Sequence, residues 1–308
     1  MHPNTSTSAL ICVLLLSACA APADDTVSPL SAAYSFTGEP LFAAEPDSAL
    51  IDRFSDREAA YDANPQDADN IVWHGRFLAY IGRYNEAIDV YTRGIELHPD
   101  DARMYRHRGH RYITTRKLDL AISDLEKAAE LTEGMENEME PDGMPNARGI
   151  PVSSLQGNIW YHLGLAYYLK HDLPNALRGF SQGLAAGNYA DNVVSTSHWI
   201  YMIHRRMGNE EAAYSVLSHI TADMDIIENF AYHQLLLFYK GELSEEELTG
   251  EGSAGDAITY GVGNWHLYNG DEERAREIFA DLLSGSGWAS FGYIAAESDM
   301  LEYFGEQR

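Results

Sequence analysis

Glycine and alanine recur twelve residues apart in four places along this chain of 308 residues: Gly75/Ala87, Gly109/Ala121, Gly164/Ala176 and Gly263/Ala275. Three residues after each glycine stands a large side chain, Leu78, Tyr112, Tyr167 or His266, and four after each alanine another, Tyr91, Leu125, Phe180 or Phe279. Small residues in such a frame describe two antiparallel helices whose backbones approach closely at the small positions, with the large side chains filling around them. The first two copies start 34 residues apart, a period at which one helix-turn-helix unit cannot bury its apolar face alone and must stack on the next. The expected fold class is all-α: a superhelical solenoid of antiparallel helix pairs.

These four frames resemble the tetratricopeptide repeat (TPR) family. The clearest copy is 68–101, with Ile71, Gly75 and Leu78 before the Gly82-Arg83 turn and Ala87, Ile88, Tyr91 and Gly94 after it. A second copy follows over 102–132, a third over 157–188 and a fourth over 256–283. Between the last two, a pair over 193–220 keeps Ala213 but has Tyr201 in place of the glycine, so a wider crossing is expected there. A further helix is expected over 223–240, ended by Gly241, then a short Glu-rich turn capped by Ser244. Residues 288–304 read as a capping helix with Phe291, Ala295 and Leu301 on one face and polar residues opposite. The repeat region thus divides into helices over 48–135 and 157–304, the first helix entered at Asp47-Ser48 and closed at Asn64-Pro65. Between them, residues 136–156 hold prolines, glycines and a cluster of acids without apolar spacing, and read as an inserted loop.

Ahead of the helices, an apolar run at 9–18 is too short to span a bilayer and reads as the core of an export signal. It ends in Leu16-Ser17-Ala18-Cys19, which resembles the lipobox of bacterial lipoproteins, although the segment before it has no Lys or Arg. That resemblance implies cleavage before Cys19, lipidation of its thiol, and an anchor in the periplasm, at the outer membrane in preference to the inner. Without lipidation, a plain secretory signal would leave one free thiol. Residues 20–47, rich in Ala, Pro, Ser and Asp, read as a flexible tether. Cys12 would leave with the signal, so the mature chain could form no internal disulfide.

Against 47 acidic residues stand only 21 basic ones, a net charge of −26. Such a field repels phosphate backbones, and nucleic acid is not expected as a partner. The basic residues are unevenly spread. Six of the 21 lie between residues 103 and 117 with no acid among them, and Arg103, Arg106, His107 and His110 share one face by their i, i+3, i+4, i+7 spacing. Arginine forks grip carboxylates in bidentate fashion, so this face could dock an acidic segment or a chain terminus. Equally, it could offset the acids of the chain's own 136–142 loop, which would then compete for the groove.

In TPR stacks the first helix of each pair lines the concave face. Positions three before and one after each crossing glycine place Arg76, Arg106 and His110, Tyr161, His198, and Tyr260 with Asn264 on that face, and His107, Asn158 and His162 one turn away. One TPR subfamily grips the C-terminal Glu-Glu-Val-Asp of cytosolic chaperones with a lysine–asparagine clamp. Its positions fall here on Val72, Arg76, His107, Asn158 and His162, so both lysines are absent and that clamp is not carried over. The resemblance implies a non-catalytic scaffold or adaptor of the cell envelope, binding a protein or peptide segment in the groove.

No metal or other cofactor is expected: His107 and His110 have ligand spacing, but flanking arginines oppose a dication and no third ligand lies close in sequence. No His-Glu-x-x-His, Gly-x-Ser-x-Gly, phosphate-cradling or dinucleotide-binding motif is present. Two other readings stay open. A hydrolase or metal-dependent enzyme would need a His/Asn-rich pocket on the inner face under the 136–156 loop, and a cell-wall glycan-binding module would need exposed aromatics there.

Overall fold

The computed structural model describes Met1 and residues 31–187 and 189–305. Apart from Met1, the signal over 1–19, the Cys19 lipidation site and the 20–30 part of the tether lie outside the described residues. Among the described residues, thirteen helices account for 65%: α1 Ser48–Ala63, α2 Ala68–Tyr80, α3 Tyr84–Leu97, α4 Ala102–Thr114, α5 Leu118–Leu131, α6 Leu155–Leu169, α7 Leu173–Ala185, α8 Ala190–Arg206, α9 Glu210–Leu217, α10 Phe230–Lys240, α11 Gly252–Tyr268, α12 Glu272–Leu283 and α13 Phe291–Phe304. None of them is long and apolar enough to cross a membrane. The chain is an all-α solenoid, its entries set by side-chain caps such as Asp47 on Leu50, Asp67 on Asn70 and Ser154 on Gly157.

The twelve-residue frame performs the job expected of it. A methyl on Gly75 would lie 2.5 Å from the Tyr91 ring, one on Gly164 would lie 2.8 Å from Phe180, and one on Gly263 would lie 2.5 Å from Phe279. Each glycine is therefore where the second helix of its pair drives an aromatic ring into the first. Tyr201 cannot accept such a ring. It stacks instead on Tyr239 of α10, centroids 4.5 Å apart at 11°, so α10 packs directly on α8.

Three expected boundaries move. The helix foreseen over 223–240 starts only at Phe230. The buried Asp191 carboxylate accepts the N–H groups of Ile227, Glu228 and Asn229 at 2.9, 2.8 and 2.8 Å, which holds that stretch as a turn. Residues 31–44, expected as tether, instead form a small antiparallel hairpin, β1 Ala33–Tyr34 with β2 Pro40–Leu41. It is fastened by Trp288, whose indole N–H donates to the Phe42 carbonyl at 2.7 Å and whose ring meets Tyr84 edge-on.

The third correction concerns the last helix. Trp288 lies before α13, Leu301 is exposed, and α13 is no outer cap with a polar back. Its buried side includes Glu297, Ser298 and Asp299 together with Ile294, Ala295 and Ala296. Glu297 meets Arg116 just after α4 at 2.8 Å, Ser298 donates to the Leu169 carbonyl at the end of α6 at 2.8 Å, and Asp299 pairs with Arg206 at the end of α8. Glu297 also accepts the Phe36 N–H from the hairpin region. So α13 crosses the C-terminal ends of three first helices, and the two ends of the solenoid meet over its concave side.

Candidate functional site

The insertion between α5 and α6 is rooted by short backbone links. Glu140 N–H donates to the Ser153 carbonyl and Leu155 N–H to that of Glu138, with Asn137 tied to the Ala186 carbonyl. From this root the loop runs as a strap over the inner face. Glu140 turns inward, and its carboxylate takes Arg106 Nη2 at 2.8 Å and the Asn158 side-chain amide, with His107 Nε2 at 3.5 Å. The Glu140 and Arg106 side chains are each only 10% exposed.

His107 is stacked on Tyr91, and its Nδ1 accepts from Arg106 Nη1 at 2.8 Å, which leaves the ring proton on Nε2, toward Glu140. Burial first, then the nearby Arg106, Arg76 and Arg111, hold this imidazole well below its ordinary pKa. Past Glu140 the strap offers backbone. The Pro141 carbonyl accepts from Arg76 at 2.8 Å and the Gly143 carbonyl from Arg53 at 2.5 Å. A side chain at residue 143 would start 2.3 Å from the Tyr80 hydroxyl, so with anything larger than glycine Tyr80 or Arg76 would have to move aside. The far end is latched by Asn146 to Glu228 at 2.6 Å and Arg148 to Asp225 at 2.7 Å, both pairs at the surface.

Arg53, Arg76 and Arg111 have no carboxylate partner among the described residues, in a chain with more than two acids for every base. Arg111 lies over the Tyr84 ring, and its burial lowers its pKa. Together with Arg106 they make the inner side of α1, α2 and α4 a patch of guanidinium groups.

Of the inner-face residues expected from sequence, Arg76, Arg106, His107 and Asn158 converge on the Glu140 turn. Arg103 does not join them: it is taken by Asp101 and Asp69, each at 2.6 Å. His110, Tyr161 and His162 sit around Phe291, His110 and His162 with centroids 4.2 Å apart. They line what is left of the groove, a run of adjoining cavities of about 590, 320 and 240 Å³. The first two share Ser253, Ala289 and Ser290, and the last two share Glu228, Asn229, Tyr232 and Phe291.

His198, Tyr260 and Asn264 are core residues, not groove residues. Tyr260 hydrogen-bonds Tyr168 at 2.6 Å and Asp299 at 2.9 Å, and Asn264 accepts from Arg206 at 2.9 Å. His198 stands between Tyr232 and Tyr239, and burial pushes its pKa down to about 3. Residues of α10 and α13 cover them, Tyr239 lying against His198 and Asp299 against Tyr260.

Arg53, Glu140, Tyr232 and Phe291 are participants that the repeat frame did not point to. Arg53 precedes the first frame, and the other three lie outside the four regular copies. Among the described residues, no hydroxyl or thiol is hydrogen-bonded to a ring nitrogen of His110 or His162, the pairing a nucleophile–base catalyst requires. Among the described residues no three His, Cys, Asp or Glu side chains are grouped to hold a metal ion.

No family model matches this chain, and no curated protein matches it. Solved structures similar to it include YrrB, a TPR protein with an unusual peptide-binding site, at 17% identity and a TM-score of 0.43, covering 74% of this chain and 91% of that one. A tetratricopeptide repeat protein from Parabacteroides merdae is similar at 16% identity and a TM-score of 0.49, over 81% and 92% of the two chains. MamA is similar at 15% identity and a TM-score of 0.42, over 62% and 90%.

Proposed function

We propose that this tetratricopeptide-type solenoid is a non-catalytic interaction scaffold that grips an acidic protein segment on the inner side of α1, α2, α4 and α6. The observation that carries the reading is the Glu140 turn: the site already holds a carboxylate between Arg106, His107 and Asn158, with the next carbonyls on Arg76 and Arg53. A partner presenting a carboxylate followed by accessible backbone would satisfy the same donors, and Arg111 offers a further unpaired guanidinium. The strap is then a resident competitor, and a partner binds by replacing it.

The test is direct. A variant with residues 136–150 replaced by a Gly-Ser linker should bind a labelled peptide of that same sequence by fluorescence anisotropy. The intact chain should bind it at least about tenfold more weakly, because a tethered competitor acts at roughly millimolar effective concentration. Arg106→Ala in the linker variant should abolish binding; equal binding with and without Arg106 would sink the reading.

The place of action belongs to the same proposal. Export with lipidation at Cys19 would fix the scaffold at a membrane facing the periplasm, the outer membrane in preference to the inner. Fatty-acid labelling that survives Cys19→Ala would exclude the anchor.

A further inference from the structure

Beneath the strap, between α4, α6, α8, α10 and the start of α13, the groove contains polar groups that the fold leaves unused. His162 Nδ1 lies 2.6 Å from the Asn158 carbonyl, so the ring proton is there and Nε2 is an acceptor. That Nε2 has no hydrogen-bond partner among the described residues, although His162 is only 4% exposed and lines the 240 Å³ cavity. His110, beside it, has no partner at either ring nitrogen among the described residues and lines the 320 Å³ cavity. Tyr161 hydroxyl accepts the Trp199 indole N–H at 2.8 Å and faces the Tyr232 hydroxyl at 3.1 Å. Either hydroxyl can donate across that contact, and when Tyr161 donates, the Tyr232 proton is available to a ligand in the cavity that Tyr232 lines. Ser195 spends its proton on the Asn192 carbonyl and keeps its lone pairs. Glu228 adds a carboxylate to the wall, and the Phe291 ring gives an apolar floor shared by both cavities.

Charge narrows what fits. Desolvation, with Arg106 and Arg111 close by, keeps His110 and His162 neutral, so the field at the cavity disfavours a cation. An anion finds no cationic side chain in the wall and one carboxylate. What remains is a neutral molecule rich in hydroxyl donors with one apolar face. The two cavities sharing the Phe291 floor are at the small end of ligand pockets.

We propose that this chamber binds a neutral, hydroxyl-rich ligand of monosaccharide size, accepted by His162 Nε2 and Ser195, capped by the Tyr232 hydroxyl and floored by Phe291. The site is separate from the Glu140 turn, though Asn158 borders both, and Val152 and Ser153 at the strap's root form part of its rim. Its failure and that of the acidic-segment reading are independent, because the peptide depends on Arg106 and the small ligand on His162.

Saturation-transfer NMR and titration calorimetry on the full chain would use glucose and N-acetylglucosamine as probes, with putrescine and citrate as charged controls. Saturable binding of at least one neutral sugar, and of neither control, is expected. His162→Phe should weaken it by about tenfold or more, the loss of one buried hydrogen bond, whereas His162→Gln, whose amide oxygen can accept, should retain most of it. Ser195→Ala should weaken it by a smaller factor and serves as the second variant if His162→Phe does not fold. Absence of sugar binding, binding of a charged control in its place, or sugar binding undiminished in both His162→Phe and Ser195→Ala overturns the proposal.

Discussion

Asp299 of α13 and Glu140 of the strap each place a carboxylate on an arginine of the inner face, Arg206 and Arg106. The chemistry is the same, and the surroundings are opposite. Asp299 and Arg206 are 1% and 3% exposed, Tyr260 donates a further hydrogen bond, and the helix behind Asp299 buries Ile294, Ala295 and Ala296 completely. The strap has nothing comparable: between residues 133 and 151 only Gly143 is buried. A carboxylate attached to an apolar helix cannot leave without exposing the core, whereas one attached to a polar loop leaves at the cost of its own polar contacts. The first is architecture, and the second is an occupant.

Breaking each pair in turn puts this difference to the test. Asp299→Ala strands a guanidinium in the core and should lower stability by about 3–5 kcal/mol in urea unfolding. Glu140→Ala should cost less, about 1–3 kcal/mol, because the strap can lift and return Arg106 to water. It should also raise affinity for the acidic peptide to that of the linker variant. Equal losses for the two would erase the distinction.

Acid offers a third probe. His107, His110 and His162 are held below their ordinary pKa by burial first, then by arginines, with Glu140 opposing at His107. The unfolded chain therefore takes up protons near pH 6.5 that the folded chain refuses. Their contribution is complete above about pH 6.5 and falls as the pH drops through that value, by up to about 1.4 kcal/mol per unit for each ring. The melting temperature should thus decline between pH 7.5 and 5.5, with strap amides gaining hydrogen exchange first. The smallest effect belongs to the latch. Arg148→Ala should leave the unfolding midpoint unchanged while speeding amide exchange in the strap; a shifted midpoint would mean that the latch is structural.

The repeat frame could be read from sequence because it is local: Gly75 and Tyr91, or Gly164 and Phe180, are sixteen residues apart and each pair defines its own crossing. The basic helix and the acidic loop were likewise visible, and so was the option that the loop's acids offset the helix. The outcome is mixed, with Arg106 on the loop and Arg103 on Asp101 and Asp69. The closure was not legible. Phe36 and Glu297 are 261 positions apart and Arg116 and Glu297 are 181 apart, and neither end of such a contact carries a pattern that names the other. Helix 10 shows the same limit at shorter range, since the Asp191 carboxylate that delays its start lies 36 residues upstream of Ile227.

The fastening of the hairpin to Trp288 and α13 has a kinetic consequence. An ordinary solenoid is a row of nearest-neighbour layers that nucleates anywhere and frays from its tips. Here residues 31–44 can meet Asn85 early, but they reach Trp288 and Glu297 only after the last helix exists, so that docking step spans most of the chain and should be slow relative to repeat formation. In return neither tip is free to peel, and the row behaves as one cooperative unit that opens from its middle, where the strap is, before it opens from its ends.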